Sequence, residues 1–183
     1  AARRQHAGER YYFRGLEELN AGRERRAYTS LGHAMGFWGQ DSRAGEHFAE
    51  LAARLAAQDL EKAKVYLALD ETAAAWLELR DADRLQPGDP ETGRLLAAVE
   101  AQLEAARALT EADMAVRRGD PEGARALAER ASVLSGERFA VEVEELGRRA
   151  TEEQLRQQFF IAYAAELDGQ IVYARDRYLE LLR

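Results

Sequence analysis

The sequence predicts an all-α protein, an array of antiparallel helical hairpins in which long and short helices alternate. Composition indicates helices throughout: only three prolines occur in 183 residues, and much of the hydrophobic fraction of 46% is alanine, a strong helix former. With only six Phe and two Trp, the core has to come from close contacts between helices. An internal repeat indicates how these helices follow one another.

Four alanines recur at intervals of 48, 49 and 50 residues: Ala27, Ala75, Ala124 and Ala174. A residue typical of turns or helix ends lies five positions before each: Gly22, Asp70, Gly119 and Gly169. A small or apolar residue lies two helical turns after each, on the same face: Ala34, Ala82, Ala131 and Leu181. A Gly or Pro lies twelve positions after the first three: Gly39, Pro87 and Gly136. This combination predicts a repeated helix-turn-helix unit.

These positions resemble the signature of the tetratricopeptide repeat family, whose unit has 34 residues. The closest match is the second unit, with Ala63, Tyr66, Asp70, Ala75, Leu79, Ala82 and Pro87. The resemblance implies a right-handed α-solenoid. The predicted domain covers residues 8–183, with units at about 8–39, 42–87, 90–136 and 138–183, and residues 1–7 as a linker or frayed end.

The period is longer than that of the family by about 14 residues. Four turns of an α-helix take about 14.4 residues, so an insertion of this length leaves the helical face almost unrotated. We therefore expect the first helix of each unit to be prolonged and the loops to stay short. Short loops place neighbouring helices antiparallel.

The first hairpin is predicted at residues 8–21 and 23–38. Tyr12 and Leu16 lie one turn apart on the apolar side of its first helix. The second helix ends in Gly-Phe-Trp-Gly at residues 36–39. We expect the two bulky rings there to fill the gap beneath the first long helix.

Three long helices follow, each of about 28 residues or about 42 Å. They contain helix formers throughout, with apolar residues at helical spacing such as Phe48, Leu51 and Leu55. Gly147 is the position at which the third is expected to break or kink. The long helices are predicted at residues 42–69, 90–118 and 138–168.

A short helix follows each long one, and the joints repeat a pattern of capping residues. Pro87-Gly88 ends a short helix, and Asp89-Pro90-Glu91 then begins a long one with an N-cap Asp, a Pro and an acid in the first turn. Gly119-Asp120-Pro121-Glu122 has the same order. The short helices are predicted at residues 71–86, 120–135 and 170–183.

Composition argues against several classes of function. A net charge of -7 argues against nucleic acid as a partner, since phosphate binding needs a basic surface. No run approaches 18 apolar residues, so we expect no membrane insertion. The chain has no cysteine, and the spacing of His6, His33 and His47 matches no zinc signature. No catalytic or phosphate-binding motif is found. We therefore expect no catalytic residue, no cofactor and no metal.

The family resemblance implies that the first helix of each unit lines a concave surface where a partner binds. Carrying the positions over gives six candidate partner-binding residues: Tyr12, Leu16, Lys64, Asp113, Phe159 and Tyr163. The aromatic ones would anchor an amphipathic helix or an extended segment of a protein or peptide partner. The alternative is that the apolar residues pack between hairpins. Tyr12 and Leu16 replace the Lys and Asn that a subset of the family uses to bind a C-terminal carboxylate, so such binding is not expected.

These observations predict a non-enzymatic protein-protein interaction scaffold, a tetratricopeptide-like module of a larger bacterial protein with a role in assembly, secretion, motility or the envelope. The alternative is a structural helical spacer or self-association module. The chain begins without Met and ends within an apolar helical pattern, so we interpret it as a segment of a longer protein. We expect a monomer, with a weak homodimer as the alternative. The sequence favours neither cytoplasm nor periplasm.

Overall fold

The computed structural model describes residues 2–40 and 42–182, with side chains from residue 4 onwards. This part of the chain forms eight α-helices and contains no strand, which confirms the all-α prediction. The helices are α1 (Ala2–Asn20), α2 (Glu24–Trp38), α3 (Arg43–Ala68), α4 (Thr72–Leu85), α5 (Pro90–Arg117), α6 (Pro121–Ser135), α7 (Ala140–Leu167) and α8 (Ile171–Leu181).

Seven of these helices begin and end within two residues of their predicted bounds. The alternation of long and short helices from α3 onwards is therefore confirmed. The prediction was wrong for α1, because residues 2–7 belong to the helix and are not a linker or frayed end. In α7 the helix continues through Gly147 without a break, so the expected interruption there does not occur.

The early start of α1 has a tertiary cause. Trp38, at the end of α2, was expected to fill a gap beneath the first long helix. Instead its Nε1 donates a hydrogen bond to the carbonyl oxygen of Gln5 at 3.4 Å, and its ring lies against Gly8. The glycine leaves room for the indole, because a Cβ at this position would overlap the ring. The end of α2 therefore packs against the beginning of α1.

The turns that close α1, α3, α5 and α7 share one backbone geometry. A residue in the left-handed region follows each helix, and the four are Gly22, Asp70, Gly119 and Gly169, with φ of 69°, 63°, 73° and 77°. The next N–H donates to a carbonyl five residues earlier, as from Arg23 to Glu18 at 2.8 Å and from Gln170 to Ala165 at 2.9 Å. This pattern is the Schellman motif. The repeat in the sequence is therefore also a repeat of local structure.

The described chain divides into two compact units. Unit 1 extends to Val99 and unit 2 begins at Glu100, so the boundary falls inside α5 and inside the third predicted repeat. Unit 1 holds α1 to α4 and the first turns of α5. Unit 2 holds the rest of α5 with α6, α7 and α8.

In unit 1, α2 packs against both α1 and α3. Early in α2, Arg25 reaches Asp59, whereas Gly32, two turns later, lies against the ring of Phe48. The two helices therefore run in opposite directions, as the short loops predict. One core cluster of this unit, between α2 and α3, consists of Ala27, Leu31, Leu51 and Leu55.

A buried carboxylate links three helices of unit 1. Arg25 on α2 donates from one guanidinium nitrogen to both oxygens of Asp59 on α3, at 2.6 and 2.7 Å. Lys62 donates to the same carboxylate at 3.0 Å, and this hydrogen bond raises the pKa of Lys62. Both cations also approach α4, because Arg25 lies 3.8 Å from Asp81 and Lys62 lies 3.5 Å from Glu78.

In unit 2, the helices α5, α6 and α7 meet in three layers of mostly small residues. The layers are Ala105, Ala108 and Ala131, then Ala112, Ala128 and Leu146, then Ala115, Ala124 and Ala150. Residue numbers rise along α5 and α7 and fall along α6, so α6 is antiparallel to both. Small side chains allow helix axes to approach closely. The alanine-rich composition therefore corresponds to a close-packed core.

The hairpin of α7 and α8 is the least covered part of unit 2. The two helices pack on each other, and the buried residues from residue 155 onwards are Ala162, Ala165 and Ala174. Across the described residues, no helix combines the length and the apolar character that crossing a membrane requires. The superhelical course of the hairpins stays a prediction.

Candidate functional site

Two of the six predicted partner-binding residues pack within unit 1. Tyr12 and Leu16 are half-buried on α1. The Tyr12 ring lies 5.5 Å from the ring of Trp38 and 5.9 Å from that of His47, measured between centroids. It also packs against the core of this unit. For Tyr12, the structure therefore favours the alternative reading, packing between helices, over an open groove.

The two charged candidates are held by ion pairs. Lys64 Nζ lies 2.8 Å from Glu61 and 3.0 Å from Glu91, and the hydrogen bond from Lys64 to Glu61 is the main cause of the raised pKa of Lys64. Asp113 accepts a hydrogen bond from Arg149 at 2.6 Å. This bond is the main cause of the lowered pKa of Asp113. Each charged side chain thus links its own helix to a neighbouring one and is less available to pair with a partner protein.

Phe159 and Tyr163 are the candidates that stay open to solvent, with 48% and 45% of their surfaces exposed. Their rings stack nearly parallel, with an interplanar angle of 5° and a centroid distance of 6.3 Å. Tyr178 on α8 lies beside them, 5.8 Å from Phe159, and its hydroxyl donates to Glu166 at 3.0 Å. Partial burial is the main cause of the raised pKa of Tyr178.

This aromatic cluster belongs to a larger apolar surface on one side of the last hairpin. A groove of about 240 Å³ runs along α8 and is lined by Glu166, Ile171, Ala174, Arg175, Tyr178 and Leu179. Leu155 lies one helical turn before Phe159 on the same face of α7. We define the C-terminal face as Leu155, Phe159, Tyr163, Ile171, Tyr178 and Leu179.

Comparison of the chain with protein-family models, with curated proteins and with solved structures finds no match. The tetratricopeptide resemblance therefore stays a prediction. What the surface can bind has to be argued from its own residues.

Exposed apolar side chains are concentrated at this hairpin. Among the described residues, nineteen large apolar side chains are exposed, and eleven of them lie between residues 155 and 182. That segment is less than a sixth of the chain. Five of the eleven belong to the C-terminal face: Leu155, Phe159, Tyr163, Ile171 and Leu179. Single exposed apolar residues are normal on protein surfaces, whereas a group on one face marks an interaction site.

The preceding repeat shows what covers the equivalent positions. Fifty residues before Phe159, Tyr163 and Tyr178 lie Leu109, Asp113 and Ala128. In unit 2 these three residues lie under α7, which supplies Val143, Arg149 and Leu146 as their respective neighbours. Phe159, Tyr163 and Tyr178 are therefore the counterparts of residues on which this protein itself packs a helix.

Sequence reasoning found part of this face and missed the contribution of α8. Tyr178, Ile171 and Leu179 were not among the predicted binding residues. A signal was present, because Tyr178 follows the repeated alanine by four positions, where the earlier units have the buried residues Leu31, Leu79 and Ala128. A tyrosine, with an apolar ring and a polar hydroxyl, indicates that this position is less completely buried in the last unit than in the earlier ones.

The described residues offer little for metal chemistry. No group of three or more His, Asp or Glu side chains in this part of the chain is placed to hold a metal ion. A charged groove between α5 and α6 is lined mainly by side chains already paired with each other, Arg130 with Glu104 and Arg107 with Glu111. The C-terminal face is thus the best candidate for a functional surface.

Proposed function

We propose that this chain is a non-enzymatic protein-protein interaction scaffold, a tetratricopeptide-like module of a larger bacterial protein, and that it binds through the C-terminal face. The observation that supports the proposal most directly is the group of five exposed large apolar side chains on this face, among eleven between residues 155 and 182. The role of the larger protein would be in assembly, secretion, motility or the envelope.

The residue types of this face suit protein recognition. Aromatic residues dominate the energetics of protein interfaces because they bury a large surface and lose few rotamers. Phe159 and Tyr163 already stack on each other, so less side-chain entropy is lost when a partner covers them. The hydroxyl of Tyr178 is held by Glu166, which fixes the edge of the groove. A partner would meet a preformed surface.

The experiment is a pull-down from a lysate of the source organism with three baits. One bait is the parent chain, one carries Phe159→Ala with Tyr163→Ala, and the matched control carries Phe13→Ala with Phe37→Ala. The control removes two exposed aromatic rings from unit 1, where each also lies near a neighbouring ring. Circular dichroism verifies that all three baits keep the parent helicity.

We expect one or more proteins to be captured by the parent and by the control, and to be lost with the Phe159/Tyr163 variant. Capture that is equal with all three baits would contradict the location of the surface. Capture by none would contradict the scaffold role itself. In the latter case the second candidate function, a structural spacer or self-association module, takes its place.

One observation favours that second candidate. The charged side chains around the C-terminal face pair with neighbours in the same hairpin, as Arg175 does with Asp176 at 2.8 Å and Arg177 with Glu180 at 2.9 Å. A surface with little unpaired charge can meet an identical surface without like-charge repulsion, which favours self-association.

A further inference from the structure

We infer that the C-terminal face is the interface of a homodimer, in which each chain seats the α7–α8 hairpin of a second copy. The inference rests on the proposed assignment of this face as an interaction surface and names the partner that occupies it. Three observations lead to it: the apolar area of the face, its charges and the way unit 2 already seats a helix.

The apolar area fits a dimer interface of ordinary size. Five of the residues, Leu155, Phe159, Tyr163, Ile171 and Leu179, expose between 45% and 61% of their surfaces. At ~150–250 Å² for each aromatic side chain and somewhat less for each aliphatic one, the open apolar surface is on the order of 500 Å². A stable interface buries about 800 Å² per partner, of which about 65% is apolar in homodimers. The open apolar surface of the face therefore matches the apolar area that each chain buries in a homodimer of ordinary size.

The charges favour a second copy as the occupant. Residues 155–182 carry three arginines and four acids, a net charge of -1 in a chain of net charge -7. The arginines of α8 pair within the helix, with Asp176 and Glu180. Two such faces meet with little like-charge repulsion, and no excess of one sign calls for an oppositely charged partner. The same patch on both chains is what a two-fold symmetric interface requires.

Unit 2 shows that a helix fits at this kind of surface. The first half of α7 lies across α5 and α6 over Leu109 and Ala128, the counterparts of Phe159 and Tyr178. At the last hairpin no helix among the described residues of unit 2 covers the corresponding surface, and a groove of about 240 Å³ lies along α8. A helix of the second copy occupies it, and the two hairpins form a four-helix arrangement.

The first test measures mass in solution as a function of protein concentration. We compare the parent chain with the variant Ile171→Ser/Leu179→Ser and with the matched control Val133→Ser/Val141→Ser. All four positions are exposed, so the substitutions remove surface and not core. Sedimentation velocity over about 1 to 100 µM covers the range of moderate dimer affinities.

We expect the parent to approach twice the chain mass of 20.5 kDa at high concentration and to return to the chain mass on dilution. The Ile171/Leu179 variant should raise the dimer dissociation constant at least about tenfold, and the control should change it about twofold at most. A parent that stays at the chain mass throughout would overturn the inference. So would a dimer that both variants weaken equally.

A second test locates the interface without depending on a destabilising change. The chain has no cysteine, so a single introduced thiol reports its own surroundings. In Ile171→Cys, the alkylation rate with iodoacetamide should fall as protein concentration rises through the dimer range. In the control Val133→Cys it should stay constant. Equal rates at all concentrations for Ile171→Cys would place the interface elsewhere and overturn the inference.

The outcomes separate this inference from the proposed function. A chain that stays monomeric, yet captures a protein that the Phe159/Tyr163 variant loses, overturns the dimer and leaves the scaffold standing. A dimer that forms through Ile171 and captures nothing else supports the inference and leaves self-association as the function of the face.

Discussion

Replacing Arg25 should destabilise unit 1 far more than its exposure suggests. The arginine side chain is 54% exposed, and surface substitutions of this kind usually cost less than about 0.5 kcal/mol. Its partner Asp59 is different, because the carboxylate is only 1% exposed and cannot recover water when the guanidinium is removed. The variant Arg25→Met therefore leaves a buried charge held by Lys62 alone.

The magnitude follows from what remains around the carboxylate. Removing one partner of a buried ion pair costs about 3–5 kcal/mol when the other is left without a counter-charge. Lys62 stays at 3.0 Å, so a smaller loss of about 2–3 kcal/mol is expected. The matched control is Arg54→Met, since Arg54 is 50% exposed and pairs at 3.1 Å with Glu24, which keeps access to water. That change should cost at most about 1 kcal/mol.

The assay is urea unfolding followed by tryptophan fluorescence. Both tryptophans, Trp38 and Trp76, lie in unit 1, so the signal reports on the unit that contains the carboxylate. The variant Asp59→Asn removes the charge, and in that background Arg25→Met should cost less than about 1 kcal/mol. The reasoning would be refuted if Arg25→Met and Arg54→Met had equal effects, or if Asp59→Asn left the cost of Arg25→Met unchanged.

Three further predictions concern unit 2 and are measured by urea unfolding with far-UV circular dichroism. Gly147→Ala should raise the free energy of unfolding by about 0.5–1 kcal/mol, because this glycine is inside a helix with open space around it. Gly119→Ala should lower it by about 1 kcal/mol or more, because Gly119 has a φ of 73°. Effects of the same sign would contradict this reasoning. Asp120→Ala should cost about 1 kcal/mol, since Asp120 caps α6 by accepting the N–H of residue 123 at 2.9 Å, and no loss would mean that the cap is redundant. Arg149 holds the pKa of Asp113 below its ordinary value of 3.8, so the stabilisation from this pair is complete above pH 3.8 and is lost as pH falls through the lowered pKa. Asp113→Asn should therefore reduce the loss of stability at acid pH. If the variant loses as much stability at acid pH as the parent, this pair is not the source of the loss.

The positions of the helices could be predicted because the signals that end and begin them are local. Asp89 and Asp120 each accept a backbone N–H three residues later, as N-cap residues do. Gly119 and Gly169 adopt the left-handed conformation that closes a helix. Each of these residues lies within about one helical turn of the backbone group that it caps. No knowledge of the rest of the fold was needed.

The candidate site could be predicted only in part. Phe159 and Tyr163 were identified from their repeat positions, and the structure leaves them exposed. Lys64 and Asp113 were identified in the same way, but they pair with Glu91 and Arg149, on other helices. Composition and spacing indicate that a charge is present, whereas its partner depends on how helices pack. Among the α8 residues that were missed, Tyr178 carried a signal in its repeat position, whereas the exposure of Ile171 and Leu179 depends on how helices pack.

The sequence alone determined the helical class, the helix bounds from α2 onwards, the turns and the small residues of the core, since these depend on neighbours within a few positions. The tertiary structure decided where α1 begins, which charges are paired and which apolar face stays open. Those features depend on residues far apart in the chain, such as Gln5 with Trp38 and Arg25 with Asp59. The open face of α7 and α8 is apolar like any core face, and it is distinguished only by the lack of a covering helix among the described residues of unit 2.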